Sequence, residues 1–73
     1  KREKFDQAIK SFEKAIDIQP NYVQAHSNLG NTLQDTGQLD AAMTCYENAL
    51  AINPDYSEAL KGAQSLQKYQ HDL

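Results

Sequence analysis

The sequence predicts an all-α fold of antiparallel helix-turn-helix repeats, a fragment of an α-solenoid. The first observation is an internal repeat, because the chain matches itself when shifted by 34 residues, the separation of Pro20 and Pro54. The second is that apolar residues recur at three- and four-residue intervals, which is the spacing of a helix face. The third is that prolines and a glycine divide the periodic segments. Four helices are predicted, at about 4–18, 22–35, 39–52 and 56–69.

Identical residues in the two overlaid copies define the repeat. The identical pairs are Asp6/Asp40, Ala8/Ala42, Glu13/Glu47, Ala15/Ala49, Ile18/Ile52, Pro20/Pro54, Tyr22/Tyr56 and Ala25/Ala59. A period of this length with small residues at fixed places is typical of stacked helix pairs. We therefore expect a single fragment over 1–73, in which 1–20 is the second half of a repeat, 21–54 is a complete repeat and 55–73 is a C-terminal capping helix.

Local residue chemistry predicts where the first two helices end and begin. Pro20 ends the first helix, because the residue before a proline disfavours the helical conformation. Asn21 is the predicted N-cap of the second helix, with Gln24 completing a capping box. Gly30 lies within that helix, where glycine costs about 1 kcal/mol relative to alanine, so we expect the backbone of a neighbouring helix to approach it closely. Gly37 is the predicted left-handed residue after the helix, and the short turn there makes the flanking helices antiparallel.

The fourth helix begins as a copy of the second and then departs from it. The overlay places Gln64 at the position of Gly30, and Gln67 at the position of Leu33. Those two places would face a following helix. Polar residues there predict that no further helix packs on this side, as in a terminal capping unit.

Composition and charge exclude several classes of function. The net charge is −3 and the sequence has no basic run, which argues against binding nucleic acid or an anionic membrane surface. No apolar stretch approaches the roughly 18 residues that a membrane-spanning helix needs. Cys45 is the only cysteine, which favours a reducing compartment and predicts a cytoplasmic location.

Small and bulky residues follow one motif through most of the chain. They are His26, Leu29, Gly30, Leu33, Gly37, Ala42, Tyr46, Ala49 and Pro54. This pattern resembles the tetratricopeptide repeat family. The resemblance implies a non-catalytic module, without cofactor, that binds a protein or peptide partner in a concave helical groove.

The segment Ala25 to Asn31 has a second, narrower resemblance. It is similar to the repeats of O-linked N-acetylglucosamine transferases and of similar bacterial proteins, in which an asparagine at the place of Asn28 bonds the backbone of a bound peptide. This resemblance implies an alternative, a substrate-presenting segment of a larger glycosyltransferase. Ser27 stands where family members that clamp a terminal carboxylate have lysine.

The second helix has a polar face that lies off its apolar stripe. By helical spacing, this face comprises Gln24, Ser27, Asn28, Asn31 and Gln34. Carboxamides donate and accept hydrogen bonds at once, so they suit the amide groups of an extended peptide. A peptide-binding groove and a merely solvated helix face are both open interpretations. Lys61 on the last helix would extend the same polar surface. It would either contact an acidic group of a ligand or only be a charged residue in solvent.

No residue pattern predicts catalysis or metal binding. His26 and His71 are far apart, and no cluster has the spacing of metal ligands. We interpret His26 as a packing residue and Cys45 as a small, partly buried one without a basic partner to activate it. The first helix lacks a covering helix, so Phe5 and Phe12 are expected to be exposed. That exposure predicts, as a further alternative, a homo-oligomer formed through this helix.

Overall fold

A computed structural model of the chain shows four helices in sequence: α1 (Arg2–Ile18), α2 (Val23–Asp35), α3 (Leu39–Ile52) and α4 (Ser57–His71). The structure describes the backbone of residues 2–71 and the side chains of residues 3–68. No strand occurs in residues 2–71, and the predicted all-α fold is confirmed. The outer ends of the units 1–20 and 55–73 lie beyond the described residues, and this division of the chain stays a prediction.

Helix α2 is central to the packing. Among the described residues it contacts each of the other three helices, whereas α1 contacts α2 alone. The buried core comprises Leu29, Leu33, Ala42, Cys45, Tyr46, Ala49, Ala59, Ala63 and Leu66. All of these residues belong to α2, α3 and α4, so the core lies between those helices and α1 closes one side of it.

Helix α1 contributes half-buried side chains to this arrangement. Ile9, Phe12 and Ile16 pack against the core from one face of the helix. Phe5 and Ile18 remain exposed, at 38% and 71% of their surface. The expectation of exposure is therefore correct for Phe5 and wrong for Phe12, because Phe12 shares the face of Ile9 and Ile16 that rests on the core.

Helix α2 begins one residue later than its sequence suggests. Its N-cap is Tyr22, whose side chain makes no capping hydrogen bond. The backbone N–H groups of Ala25 and His26 donate to Tyr22 O, at 3.1 and 3.2 Å. The predicted Asn21 cap is wrong, because the carbonyl that closes the first turn belongs to the following residue.

The end of α2 has the expected glycine geometry. Gly37 has a φ of 83°, in the left-handed region where a side chain is strained. Its N–H donates to Gln34 O at 3.0 Å, and Gln38 N–H donates to Leu33 O at 2.9 Å. This pair of bonds is a Schellman motif, which satisfies the last carbonyls of the helix and turns the chain into α3.

The ring of Tyr46 lies between two glycines on different helices. A Cβ added to Gly30 would stand 2.7 Å from Tyr46 Cε1, and one added to Gly62 would stand 2.3 Å from Tyr46 Cζ. The expected close approach at Gly30 is thus present, but an aromatic side chain makes it rather than a backbone. On α4 the glycine that contacts Tyr46 is Gly62. The 34-residue overlay pairs Gly62 with Asn28, and the residue that it pairs with Gly30, Gln64, is exposed.

Candidate functional site

The predicted groove residues of α2 take different positions in the structure. Gln24 and Asn31 are exposed, and Asn28 and Gln34 are half-buried. We call these four side chains the carboxamide face. Ser27, the fifth predicted residue, is buried and does not belong to this face.

The burial of Ser27 corrects its assignment as a groove residue. Its exposed fraction is 0%, so a ligand has no access to it in this structure. Ser27 precedes Gly30 by three residues and therefore lies on the side of α2 that other helices cover. Within the described residues, its Oγ has no hydrogen-bond partner.

The hydroxyl of Tyr46 reaches the carboxamide face from inside the protein. Tyr46 Oη lies 2.6 Å from the side-chain amide of Asn31 and 2.9 Å from that of Gln34. A hydroxyl has one proton, and the shorter distance is typical of an O–H donating to an oxygen, here Asn31 Oδ1. Gln34 Oε1 is a second acceptor at the longer distance, so the two amide oxygens share the single hydroxyl proton. Two residues of the face are thus held by one buried ring.

Gln34 extends this network to the last helix. Its side-chain amide lies 3.3 Å from Ser65 Oγ. Gln34 Nε2 donates this hydrogen bond to the hydroxyl oxygen of Ser65. The network therefore joins α2, α3 and α4, and it fixes the position of Gln34 on the face.

A small basic cavity on α4 adjoins the network. It has a volume of about 220 Å³ and is lined by Lys61, Gln64, Ser65 and Lys68. The exposed Lys61 is the predicted groove residue, whereas Lys68, also exposed, was not predicted. Their separation of seven residues, two helical turns, is the pattern that places both ammonium groups on one side of the helix.

His26 and Cys45 are both buried. His26 is 7% exposed, and its Nε2 lies 2.9 Å from Pro20 O, to which it donates. Burial raises the pKa of the Cys45 thiol, and the nearby Glu13 carboxylate raises it further. A thiol that keeps its proton is a poor nucleophile. Across residues 3–68, no three His, Cys, Asp or Glu side chains are placed to share a metal ion.

No described helix combines the length and apolarity that crossing a bilayer requires.

Helices that stack around Gly30, Tyr46 and Gly62 define a helical-repeat protein. The model of the tetratricopeptide repeat family matches residues 1–66, and the chain belongs to that family. Members of this family generally bind protein partners.

The relatives carry this repeat within much longer chains. The chain is 34% identical over 55 residues to the tetratricopeptide repeat domain-containing protein PYG7, chloroplastic, of Arabidopsis thaliana, covering 75% of this chain and 18% of the relative. It is 38% identical over 58 residues to the small glutamine-rich tetratricopeptide repeat-containing protein 2 of Saccharomyces cerevisiae, covering 78% and 17%. It is 33% identical over 63 residues to the protein O-mannosyl-transferase TMTC1 of Homo sapiens, covering 81% and 7%. The chain thus spans less than a fifth of each relative.

Proposed function

We propose that the chain is a non-catalytic module that binds an extended segment of a protein partner along the carboxamide face. The observation that carries this proposal is the Tyr46 hydroxyl, which holds Asn31 and Gln34 in place. Side chains that are already ordered lose less conformational entropy when a ligand binds. Asn31 keeps its NH₂ group free of the Tyr46 bond, so this group can donate to a peptide carbonyl.

The dimensions of the face suit an extended peptide. Gln24 and Asn31 are separated by seven residues of helix, which is about 10.5 Å along its axis. About three residues of extended chain cover that length. Asn28 lies between the two, so carboxamides are available along the whole path. Lys61 supports the proposal that the bound segment carries an acidic group near one end.

Peptides selected from a random displayed library on the 73-residue chain would test the proposal. We expect Asn28→Ala to weaken a selected peptide about tenfold, because an unpaired backbone amide in the complex costs about 1–3 kcal/mol. Gln67→Ala on α4 is the control, as it removes an exposed carboxamide from a different helix. Unchanged affinity in both Asn28→Ala and Asn31→Ala, measured by calorimetry, would rule out the carboxamide face.

We also propose, as a second candidate, self-association through α1. It is supported by the exposed Phe5 and by a cavity of about 300 Å³ that Phe5 lines together with Asp6, Thr36 and Gln38. Exposed apolar surface favours association in water. Sedimentation of the chain at increasing concentration tests this candidate, and Phe5→Gln should shift the equilibrium towards monomer. A monomer at all concentrations would refute it.

The glycosyltransferase alternative has narrower support. One relative is named a protein O-mannosyl-transferase, and the matched segment covers 7% of it. On this alternative the module would present a substrate to a catalytic domain elsewhere in a longer chain. The full reading frame decides it, since a parent protein without such a domain would end it. A cytoplasmic location likewise stays a prediction.

A further inference from the structure

A second concavity lies on the side of α2 opposite the carboxamide face. It is a crevice of about 370 Å³ between α1 and α3, and α2 forms its base. From α2 it takes His26 and Leu29, which helical spacing places more than a quarter turn away from Asn28 and Asn31. This volume lies at the small end of the range of about 300–1,000 Å³ for ligand cavities. We call it the α1–α3 crevice.

The floor of the α1–α3 crevice is apolar and its rim is acidic. The floor consists of the buried or half-buried side chains of Ile16, His26, Leu29 and Cys45. The exposed side chains of Glu13, Asp17 and Asn48 form the rim. Glu13 and Asp17 are four residues apart on α1, so both carboxylates project from one face of that helix.

His26 adds a hydrogen-bond acceptor at the floor. Its Nε2 donates to Pro20 O, because a carbonyl oxygen can only accept. In the neutral imidazole, Nδ1 is then the acceptor. Within the described residues Nδ1 makes no hydrogen bond, and it is not fully shielded from solvent. Two carboxylates, this nitrogen and the Asn48 carbonyl thus give the crevice four acceptor groups.

The charge around the crevice also favours a cation. Residues 13–60 contain seven acidic residues and a single cation, Lys14. Lys10 and Lys14 are exposed on α1 and line no part of the crevice. In residues 3–68, no set of three metal-ligating side chains is arranged to hold a metal ion. The matching ligand is therefore an organic cation with several donors and an apolar stem.

We propose that the α1–α3 crevice binds an arginine side chain of a protein partner. The guanidinium group lies between Glu13 and Asp17, and its methylene stem covers Ile16 and Leu29. Arginine suits this place better than lysine, because its planar group carries five donors and is more weakly hydrated than an ammonium. Bonds from a cation to carboxylates are also stronger than bonds between neutral groups. The chain would thus have a contact surface separate from the carboxamide face.

The test is a titration of the ¹⁵N-labelled 73-residue chain, followed by NMR, with the peptide acetyl-Leu-Arg-Leu-amide. Peptides with lysine or citrulline in place of arginine are the matched ligands, since citrulline has nearly the same shape without the charge. We expect saturable shifts at the backbone amides of Glu13, Asp17 and Asn48, with a dissociation constant of about 1 mM. The arginine peptide should bind most tightly and the citrulline peptide least tightly. Equal binding by the citrulline peptide, or no saturable shift at the crevice below about 10 mM, overturns the proposal.

Charge variants provide an independent test. The double substitution Glu13→Gln, Asp17→Asn should weaken the binding of the arginine peptide about fivefold, as expected for the loss of two exposed ion pairs. The control is the double substitution Asp40→Asn, Glu47→Gln. It removes the same number of negative charges, by the same types of substitution, at residues that do not line the crevice. Both pairs are exposed, and circular dichroism checks that each variant keeps its helices. Equal weakening in the two variants would show general attraction to an acidic protein and would overturn the site.

Discussion

The aromatic ring of Tyr46 occupies the space in which a side chain at Gly62 would stand. A Cβ on Gly62 would lie 2.3 Å from Tyr46 Cζ and 2.5 Å from Cε1, distances that non-bonded carbon atoms do not adopt. The ring has no room to move away, because a Cβ on Gly30, on another helix, would lie 2.7 Å from the same Cε1 atom. One buried residue therefore sets the approach of α2 and α4 to α3.

Gly62→Ala should therefore destabilise the chain, although alanine favours helix by about 1 kcal/mol. Forcing a methyl group into a packed core costs about 1–3 kcal/mol, and more where neighbours are fixed. We expect a net loss of about 1–2 kcal/mol in the free energy of unfolding, measured by urea denaturation. Gln64→Ala, at an exposed site on the same helix, should change it by less than about 0.5 kcal/mol.

A double-mutant cycle with Tyr46→Leu identifies the cause of this loss. If the ring is the obstacle, Gly62→Ala should lose most of its effect in the Tyr46→Leu background. The stability effects of substitutions at two residues in contact are not additive. A stabilising Gly62→Ala in the original chain would contradict the packing described above.

The helices were predictable because their signals are local. Apolar spacing, Pro20 and Gly37 each act within a few residues, so the ends of α1 and α2 are close to those expected. Gly62 was not predictable from the repeat. Helix α4 meets Tyr46 from the next helix pair, whereas Gly30 meets it from within its own pair, and a shift along the sequence does not say which helix face is used.

The candidate site was likewise predictable only in part. Helical spacing places Gln24, Asn28, Asn31 and Gln34 near one another, and the structure leaves all four at least partly exposed. Helical spacing does not reveal that Tyr46 bonds two of these residues, or that Ser27 is covered by other helices. Those facts depend on distances between helices, which periodicity within one helix does not determine.

Removing only the hydroxyl of Tyr46 tests its role in ordering the carboxamide face. Tyr46→Phe should lower the free energy of unfolding by about 1 kcal/mol, the usual net value of a lost hydrogen bond. It should also broaden or shift the side-chain amide NMR signals of Asn31 and Gln34. Tyr22→Phe makes the same change at an exposed ring and should alter neither property. Equal stability of the two variants would mean that the hydroxyl network contributes nothing.

Ser27→Ala should stabilise the chain. Its hydroxyl is buried without a partner in the described part of the protein, and an unsatisfied buried polar group is unfavourable. Alanine is also the better helix former, so we expect a gain of about 0.5–1 kcal/mol by urea denaturation. Ser65→Ala is the matched control, because the Ser65 hydroxyl bonds Gln34 and its removal brings no such gain. A loss of stability in Ser27→Ala would show that the hydroxyl is bonded, and a loss of peptide affinity would restore it to the proposed groove.

The chain should lose stability in mildly alkaline solution. Burial, followed by Glu13, raises the pKa of the Cys45 thiol above its ordinary value of 9.0. Burial, followed by Asp35 and Cys45, raises the pKa of Tyr46 above 10.0. Above those ordinary values the unfolded chain releases protons that the folded chain keeps, so deprotonation favours unfolding. The stability is therefore complete below about pH 9 and declines as the pH rises towards the folded-state pKa values.

Urea midpoints at pH values between about 7 and 10.5 measure this decline. Cys45→Ala should make the decline shallower between about pH 9 and pH 10, whatever it does to the midpoint at neutral pH, because it removes one of the groups whose pKa differs between the folded and unfolded chain. Tyr46→Phe should act in the same direction at the upper end of the range. Tyr22→Phe removes an exposed phenol and serves as the control. The same pH dependence in Cys45→Ala and in the original chain would show that burial of the thiol does not make the fold sensitive to base.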